Sequence, residues 1–440
     1  MSIFRGPMKK HLNGHKDLTM SVAVNHAIDP DDLWVPVASG PSDMNVCVEV
    51  GSQVKKGTKL AERNDHFYLP VFSPVSGVVV EEKKMIGGDG RLHLHLHIVN
   101  DHKNDTAQSF ATLDYQKASR QELLEFVKNA GILGLGGAGF PSYVKYLKTD
   151  GIELLIINAV ECEPFLTADY KAMEENMASL KTGILALWKL SAAPRVVLAI
   201  KEDKKEMIAK LRSCFADTQI EVKTVPDAYP MGYERTLTYQ LTKRRYDRLP
   251  SEAGVIINNA NTAIALAIAL EKGMPITHKY VTVSGDALKH PQTVYAPVGT
   301  TAHDLVEAVG GFAKEVDDVL LINGGPMMGR AIPGDTWAIA QQTNGLTVLK
   351  NKKVDAIPCL RCGGCVDHCP MGLQPVRIQE EHKTMNFDRL MKLRVLDCVE
   401  CGLCTFVCPS KITVTENMRR AKTFVNSKLK MAQAAKGGKK

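Results

Sequence analysis

The 440-residue sequence has no run of about 18 apolar residues free of polar interruption, which argues against a membrane-spanning helix. The nearest candidate, GVIINNANTAIALAIAL, is broken by three asparagines. The opening MSIFRGPMKKHLNGHKDL lacks the apolar core of a signal peptide. The expectation is a cytoplasmic chain with no transmembrane segment of its own, free to dock on the cytoplasmic face of a membrane complex. Aromatic residues are only 6% of the chain, and none alternate with basic ones as in a nucleic-acid stacking platform. Hydrophobic and charged fractions of 45% and 23% belong to a globular protein, and the length suggests about three domains. The net charge of +7 is uneven: the tail from Met418 is rich in Lys and Arg and has no acid. It reads as a solvated, frayed terminus ahead of a nucleic-acid, anionic-membrane or acidic-protein contact.

Short strands and turns dominate from about Asn45 to His97. VCVEVGSQVKKGTKLAE and YLPVFSPVSGVVVEE resemble the halves of a lipoyl-like barrel-sandwich, with Gly51, Gly57 and Gly77 in the turns. No carrier lysine sits at a hairpin tip, so a structural module is expected over residues 1–110. RLHLHLHIVN places His93, His95 and His97 on one strand face; a polar face is the reading, because no fourth metal ligand is evident.

SRQELLEFVKNA reads as an amphipathic helix with Ser119 as N-cap and Glu122 completing a capping box. A glycine loop and a helix from Pro141 follow. ELLIINAV, PRVVLAIK and IEVKTVP are strands separated by helices, among them one long helix over TADYKAMEENMASLKTGILALWKL. Residues 118–275 are therefore expected to be α/β with a parallel sheet. Residues 276–340 read as a small β-rich module with one helix, residues 345–415 as a helical cysteine-rich domain, and 418–440 as the basic tail.

Eleven cysteines include two tight groups, which in a cytosolic chain argue for metal and not disulfides. Cys359, Cys362, Cys365 and Cys369 follow C-x2-C-x2-C-x3-C-P, and Cys398, Cys401, Cys404 and Cys408 repeat it 39 residues on. This is the bacterial two-cluster ferredoxin grammar, in which the fourth cysteine of each run serves the other cluster. One [4Fe–4S] cluster is assigned to Cys359, Cys362, Cys365 and Cys408, the other to Cys398, Cys401, Cys404 and Cys369. Zinc in two four-thiolate sites is the alternative.

GILGLGGAGFPSYVKY contains Gly134, Gly136 and Gly139 as G-x-G-x-x-G. A Rossmann loop needs a strand before it, but a helix ending near Ala130 precedes this one. The glycines still let backbone amides approach an anion, so a phosphate is the natural guest.

GLGGAGFPSYVKY resembles the flavin-binding loop of the complex I flavoprotein, and INAVECEPFLTADY, YPMGYERTL and INNANTA are similar to later segments of that family. Together with the barrel-sandwich, a β-grasp (SLBB-like) module and the two ferredoxin runs, the chain resembles the RnfC family. That family supplies the peripheral subunit of the Rnf ion-translocating ferredoxin:NAD oxidoreductase complex. The resemblance implies FMN held by Gly134, Gly136, Gly137, Ala138 and Gly139, with Lys145 near the flavin or its phosphate. Asn158, Glu161 and Glu163 would line the isoalloxazine and nicotinamide side, with Glu234, Asn258 and Asn259 as further candidates. Val160 stands where complex I relatives often carry an acid, and the usual RnfC opening is not seen.

The expected activity is an NADH-dependent flavin and iron–sulfur oxidoreductase. NADH gives a hydride to FMN, and electrons leave singly through two [4Fe–4S] clusters toward ferredoxin or the redox subunits of an Rnf-like membrane complex. No nucleic acid is expected as a partner. The rivals are a soluble reductase for another acceptor, such as a cobalamin reductase or an amino-acid-reductase partner, and a pure relay that binds flavin but not NADH.

Overall fold

The computed structural model describes residues 9–39, 42–65, 67–314, 316 and 318–437. The chain divides into two compact units. The larger comprises residues 14–227 and 246–351, the smaller residues 1–13, 228–245 and 352–440.

In the larger unit, two small sheets face each other near the N-terminus. Asp32–Pro36, Leu92–Asn100, Gly77–Ile86 and Gln53–Val54 form one; Asn45–Val46, Lys59–Arg63 and Leu69–Phe72 form the other. Alternation drives the pairing: Leu33 and Val35 of the first strand, and Leu96 and Ile98 of its neighbour, are fully buried between the sheets. This is the expected barrel-sandwich. The three histidines do not converge. His93 bonds Asp89 at 2.8 Å, His95 meets the His93 carbonyl at 2.9 Å, and His97 bonds Asp32 at 2.6 Å while stacking on Trp34.

The Arg120–Asn129 helix starts on the expected capping box: Ser119 accepts from the Glu122 amide and Glu122 from the Ser119 amide. Its Phe126 packs edge-on to Phe110, which meets Phe72 of the barrel, so the hydrophobic core runs from barrel to α/β layer. That layer is a four-stranded parallel sheet in the order Glu221–Val225, Arg195–Lys201, Leu154–Asn158, Val255–Asn259. Its apolar strands are covered by helices Ala168–Glu175, Met177–Ser191 and Ala260–Lys272. The single long helix expected over residues 167–190 is two helices. Asn176 breaks it (φ −125°, ψ 40°), its side-chain amide donating to the Ala172 carbonyl and the Tyr280 hydroxyl, both at 2.9 Å.

Beyond the sheet, Gln292–Pro297, His278–Ser284, Gly345–Lys350, Val319–Asn323 and Arg330–Ala331 form a mixed five-stranded sheet with the Ala302–Ala308 helix. Gly345–Lys350, read from sequence as the start of the cysteine-rich domain, pairs inside this sheet with His278–Ser284 and Val319–Asn323. Its Leu346 and Val348 are fully buried there, which explains the placement.

The smaller unit is built from short helices around Leu373, Ile378, Leu390, Val395 and Met418. Residues 228–245, read as part of the α/β domain, belong here: the Tyr229 hydroxyl donates to the Cys401 carbonyl at 2.7 Å. The basic tail is not a frayed end from Met418. It continues a helix, Val414–Gly437, whose Met418, Ala421 and Val425 are buried. Among the described residues no helix is long and apolar enough to cross a membrane.

One packing contact in the larger unit admits no side chain. A Cβ on Gly183 of the Met177–Ser191 helix would lie 1.8 Å from the Ala263 carbonyl oxygen of the Ala260–Lys272 helix. Gly183→Ala should therefore cost about 2 kcal/mol or more of stability, read as a lower denaturation midpoint at unchanged slope.

Candidate functional site

The parallel sheet reverses direction of winding between Leu154–Asn158 and Val255–Asn259, so a crevice opens beyond their carboxyl ends. Asn158 and Asn259 are register partners and share one face there. Asn258, one residue earlier, faces the opposite side, where its amide donates to the buried Tyr146 hydroxyl. The alternation of a strand thus separates two adjacent asparagines that their sequence neighbourhood groups together.

The glycine loop lies over this crevice. The Gly134 amide donates to the Phe140 carbonyl at 2.8 Å and the Gly139 amide to the Gly134 carbonyl at 3.0 Å, closing the loop on itself. The Leu135 amide donates to Thr262 Oγ1 at 3.0 Å. A Cβ on Gly136 would meet the Asn259 side chain at 3.0–3.3 Å, so the backbone rests on Asn259. Gly137 has φ +105°, a left-handed value that favours glycine, and nothing lies within 4 Å of its Cβ direction. Among the described residues no hydrogen bond engages the amides of Gly136, Gly137 and Ala138. Three consecutive amides beside open space suit a phosphate, and FMN carries one.

The helix expected from Pro141 is a five-residue 3-10 turn, Ser142–Tyr146. Its first residue is tied back, the Ser142 amide donating to Ile132 at 2.8 Å, and the turn ends at Leu147. It is too short to present a helix dipole, so the loop amides are the anion-binding feature. Lys145 on this turn donates to the Ile257 carbonyl at 2.7 Å, on the strand that ends in Asn259.

Glu161 and Glu163 follow the Leu154–Asn158 strand, and both carboxylates have partners within the chain. Glu161 accepts from the Asp169 amide at 2.8 Å and lies 4.0 Å from Lys16. Glu163 accepts from the amides of Met327 and Met328 at 3.2 and 2.8 Å. Val160 is buried. Glu234 begins the Glu234–Thr242 helix of the smaller unit.

Sequence reasoning misses the charges beneath. Asp169 is buried and accepts from Asn259 Nδ2 at 2.6 Å and Asn261 Nδ2 at 2.7 Å. Burial, then the neighbouring Glu161, push it up to about 7. Buried Lys279 is drawn down to about 8 by desolvation, against the attraction of Asp169. Lys16 is also buried and lowered by desolvation, with Glu161 opposing; its ammonium donates to the Leu166 carbonyl. The only sequence signal is the third asparagine, Asn261, in an otherwise apolar stretch. An aspartate in a helix's first turn has an ordinary dipole explanation, and the two lysines come from remote segments.

In the smaller unit, Cys369 joins Cys398, Cys401 and Cys404 around one pocket, lined also by Leu373 and Met418. Amide donors approach the sulfurs: Leu373 N to Cys369, Glu400 N to Cys398 and Arg361 N to Cys359, each at 3.4 Å. The runs repeat in backbone as in sequence. Left-handed φ values of +53° and +55° at Arg361 and Glu400 are followed by +78° and +79° at Gly363 and Gly402. Each such glycine opens a short helix, Gly364–Asp367 or Leu403–Phe406. In the first run Cys359 and Cys362 are exposed, whereas Cys401 is buried. Burial pushes the thiols of Cys401 and Cys404 up to about 12 and about 11. Bound iron would displace those protons.

Eight thiols in two repeated runs, with Cys369 of the first run in the pocket of the second, are the donor set for two four-iron cubes. Four thiolates on one zinc crowd together, while those of a four-iron cube each bind a different iron and stand further apart. The donor set fits clusters better than zinc.

Family models match along the chain: an RnfC barrel-sandwich hybrid domain at residues 5–103 and a Nuo51 FMN-binding domain at 127–268. An SLBB domain matches residues 280–331 and a 4Fe-4S dicluster domain residues 358–412. A solved structure of an NAD+-reducing [NiFe]-hydrogenase shares the fold, with TM-score 0.50 and 17% identity over 73% of this chain and 68% of that one. The C-type component of the ion-translocating oxidoreductase complex of Vibrio cholerae is 31% identical over 99% of this chain, which spans 57% of that relative. Its counterpart in Pectobacterium carotovorum is 33% identical over 81% of this chain, and 50% of its own length is spanned. The C-type component of the proton-translocating ferredoxin:NAD(+) oxidoreductase complex of Clostridium ljungdahlii is 32% identical over 84% of this chain and 82% of its own length. With a relative matched over most of both chains and the family's domains in order, this chain belongs to the RnfC family of oxidoreductase-complex components.

Proposed function

We propose that the chain passes electrons between NADH and ferredoxin or a membrane redox complex, as a peripheral component on the cytoplasmic face of an ion-translocating assembly. The observation that carries this reading is the crossing of Cys369 into the pocket of Cys398, Cys401 and Cys404. That crossing fits the two-cluster ferredoxin pattern, in which two one-electron centres share one small unit. The names of the relatives support the partners and the nicotinamide substrate.

Bound FMN would supply the conversion between a two-electron hydride and single electrons, and the clusters would carry those electrons singly. The chain's own residues bind and orient. Gly136, Gly137 and Ala138 offer the phosphate their open amides, in a loop that Gly134 and Gly139 close on itself. Lys145 adds positive charge on the turn that follows, and Asn158 and Asn259 border the crevice. Glu161 and Glu163 shape its edge through the Asp169 amide and the Met327–Met328 turn, and so act through position more than through free carboxylates. Cys359, Cys362, Cys365 and Cys408 would hold one cluster; Cys398, Cys401, Cys404 and Cys369 the other.

Anaerobic reconstitution with iron, sulfide and FMN should give a protein whose flavin bleaches on adding NADH, followed by reduced-cluster EPR signals. Full flavin occupancy without bleaching, while dithionite still reduces the clusters, would make the chain a relay. Cys369→Ser should remove the cluster of the second run and about half the iron, sparing the EPR signal of the other. Gly137→Ala, strained at φ +105° with no contact to lose, should weaken FMN binding at least about ten-fold with little change in melting temperature.

A further inference from the structure

We propose that Asp169 is the positioning residue of the glycine loop: its buried carboxylate pins the Asn259 side chain, on which Gly136 rests, and so holds the three open amides in place. This rests on the reading that those amides bind the phosphate of FMN.

The chain of contacts is short. Asp169 Oδ2 accepts from Asn259 Nδ2, and Oδ1 from Asn261 Nδ2. Asn259 Oδ1 accepts the Asn261 amide at 2.8 Å as N-cap of the Ala260–Lys272 helix. The Asn259 carboxamide is thereby fixed at both ends, with one orientation left to it. Gly136 stands against it closely enough that a Cβ would be 3.0 Å from Nδ2. One turn on, Thr262 Oγ1 holds Leu135 N and Leu133 O, so the same helix start grips the loop twice. Removing the carboxylate acceptor frees the first of these grips and leaves the second.

The groups that face Asp169 are Glu161 from the turn after the strand, Lys16 from the N-terminal segment and Lys279 from the mixed sheet. Glu161 disfavours the carboxylate and both lysines favour it. Burial disfavours the carboxylate most, and with Glu161 it outweighs the lysines and raises the Asp169 carboxyl to about 7. Once protonated, its bonds to the two carboxamides lose their charge assistance and weaken. The cradle would loosen as pH falls, although Asp169 itself touches no ligand.

The test is FMN binding to the full chain, followed by flavin fluorescence across a pH range spanning about 7, for the parent protein, Asp169→Asn and Asn259→Ser. Protonation of the FMN phosphate is common to all three. The parent should lose affinity on acidification by more than that common part. Both variants should bind about ten-fold more weakly at the alkaline end and show only the common dependence. Serine is as good an N-cap as asparagine, so Asn259→Ser cuts the link while sparing the helix, and serves if Asp169→Asn does not fold. Iron content and melting temperature report folding independently. A folded variant with the parent's affinity and pH profile overturns the positioning role and leaves the FMN reading standing. A parent protein that takes up its iron but binds no FMN overturns the reading on which the proposal rests.

Discussion

Asp169 lies out of reach of water, and a bare carboxylate there would be costly unless its oxygens were bonded and its charge opposed. Asn259 and Asn261 do the first, Lys279 the second. Those partners fix where the Ala260–Lys272 helix begins, hence where the Val255–Asn259 strand must end. The glycine loop rests on that junction through Asn259 and Thr262. Glu161 accepts the Asp169 amide and faces Lys16, which ties the turn after the central strand to the N-terminal segment. The same segment carries Thr19, bonded to Thr167 at 2.7 Å, and Thr167 bonds Thr282 and Thr293 of the mixed sheet. Satisfying one buried charge therefore sets the relation of three layers within the larger unit.

Features that follow from local rules are readable in the sequence. Ser119 and Glu122 announce a capping box, the apolar runs ELLII and RVVLAI announce buried parallel strands, and the cysteine spacing announces its own pairing of runs. What escapes depends on long-range context. Nothing local says that Asn258 and Asn259 part to opposite faces of a strand whose register is set by Leu154–Asn158. Gly345–Lys350 looks like any apolar hexamer until His278–Ser284 and Val319–Asn323 supply its neighbours. The turn after Pro141 has helix-like composition, yet it runs only from Ser142 to Tyr146 and stops at Leu147. The charges under the loop come from three separated stretches, and each has an unremarkable local explanation.

The cysteine runs show how a duplication can stay regular in backbone and diverge in surroundings. At equivalent positions, Arg361 pairs outward with Glu380, while Glu400 is held by Arg419 and Lys422 from the Val414–Gly437 helix. Lys422 also donates to the Cys398 carbonyl at 2.7 Å. The helix that continues into the basic tail is thus part of the wall of the second run. Two copies of one local fold receive different charge, hydration and cover from their neighbours.

The separation of the site's parts along the chain has a consequence for biosynthesis. The Lys16 ammonium bonds a carbonyl 150 residues later, Asp169 waits 90 residues for Asn259, and Glu163 waits 165 for Met328. A nascent chain leaving the ribosome can complete its barrel early, since those strands are close in sequence. The crevice cannot close until the turn at Met327 and Met328 has emerged. Loading with flavin is accordingly an event of the finished larger unit.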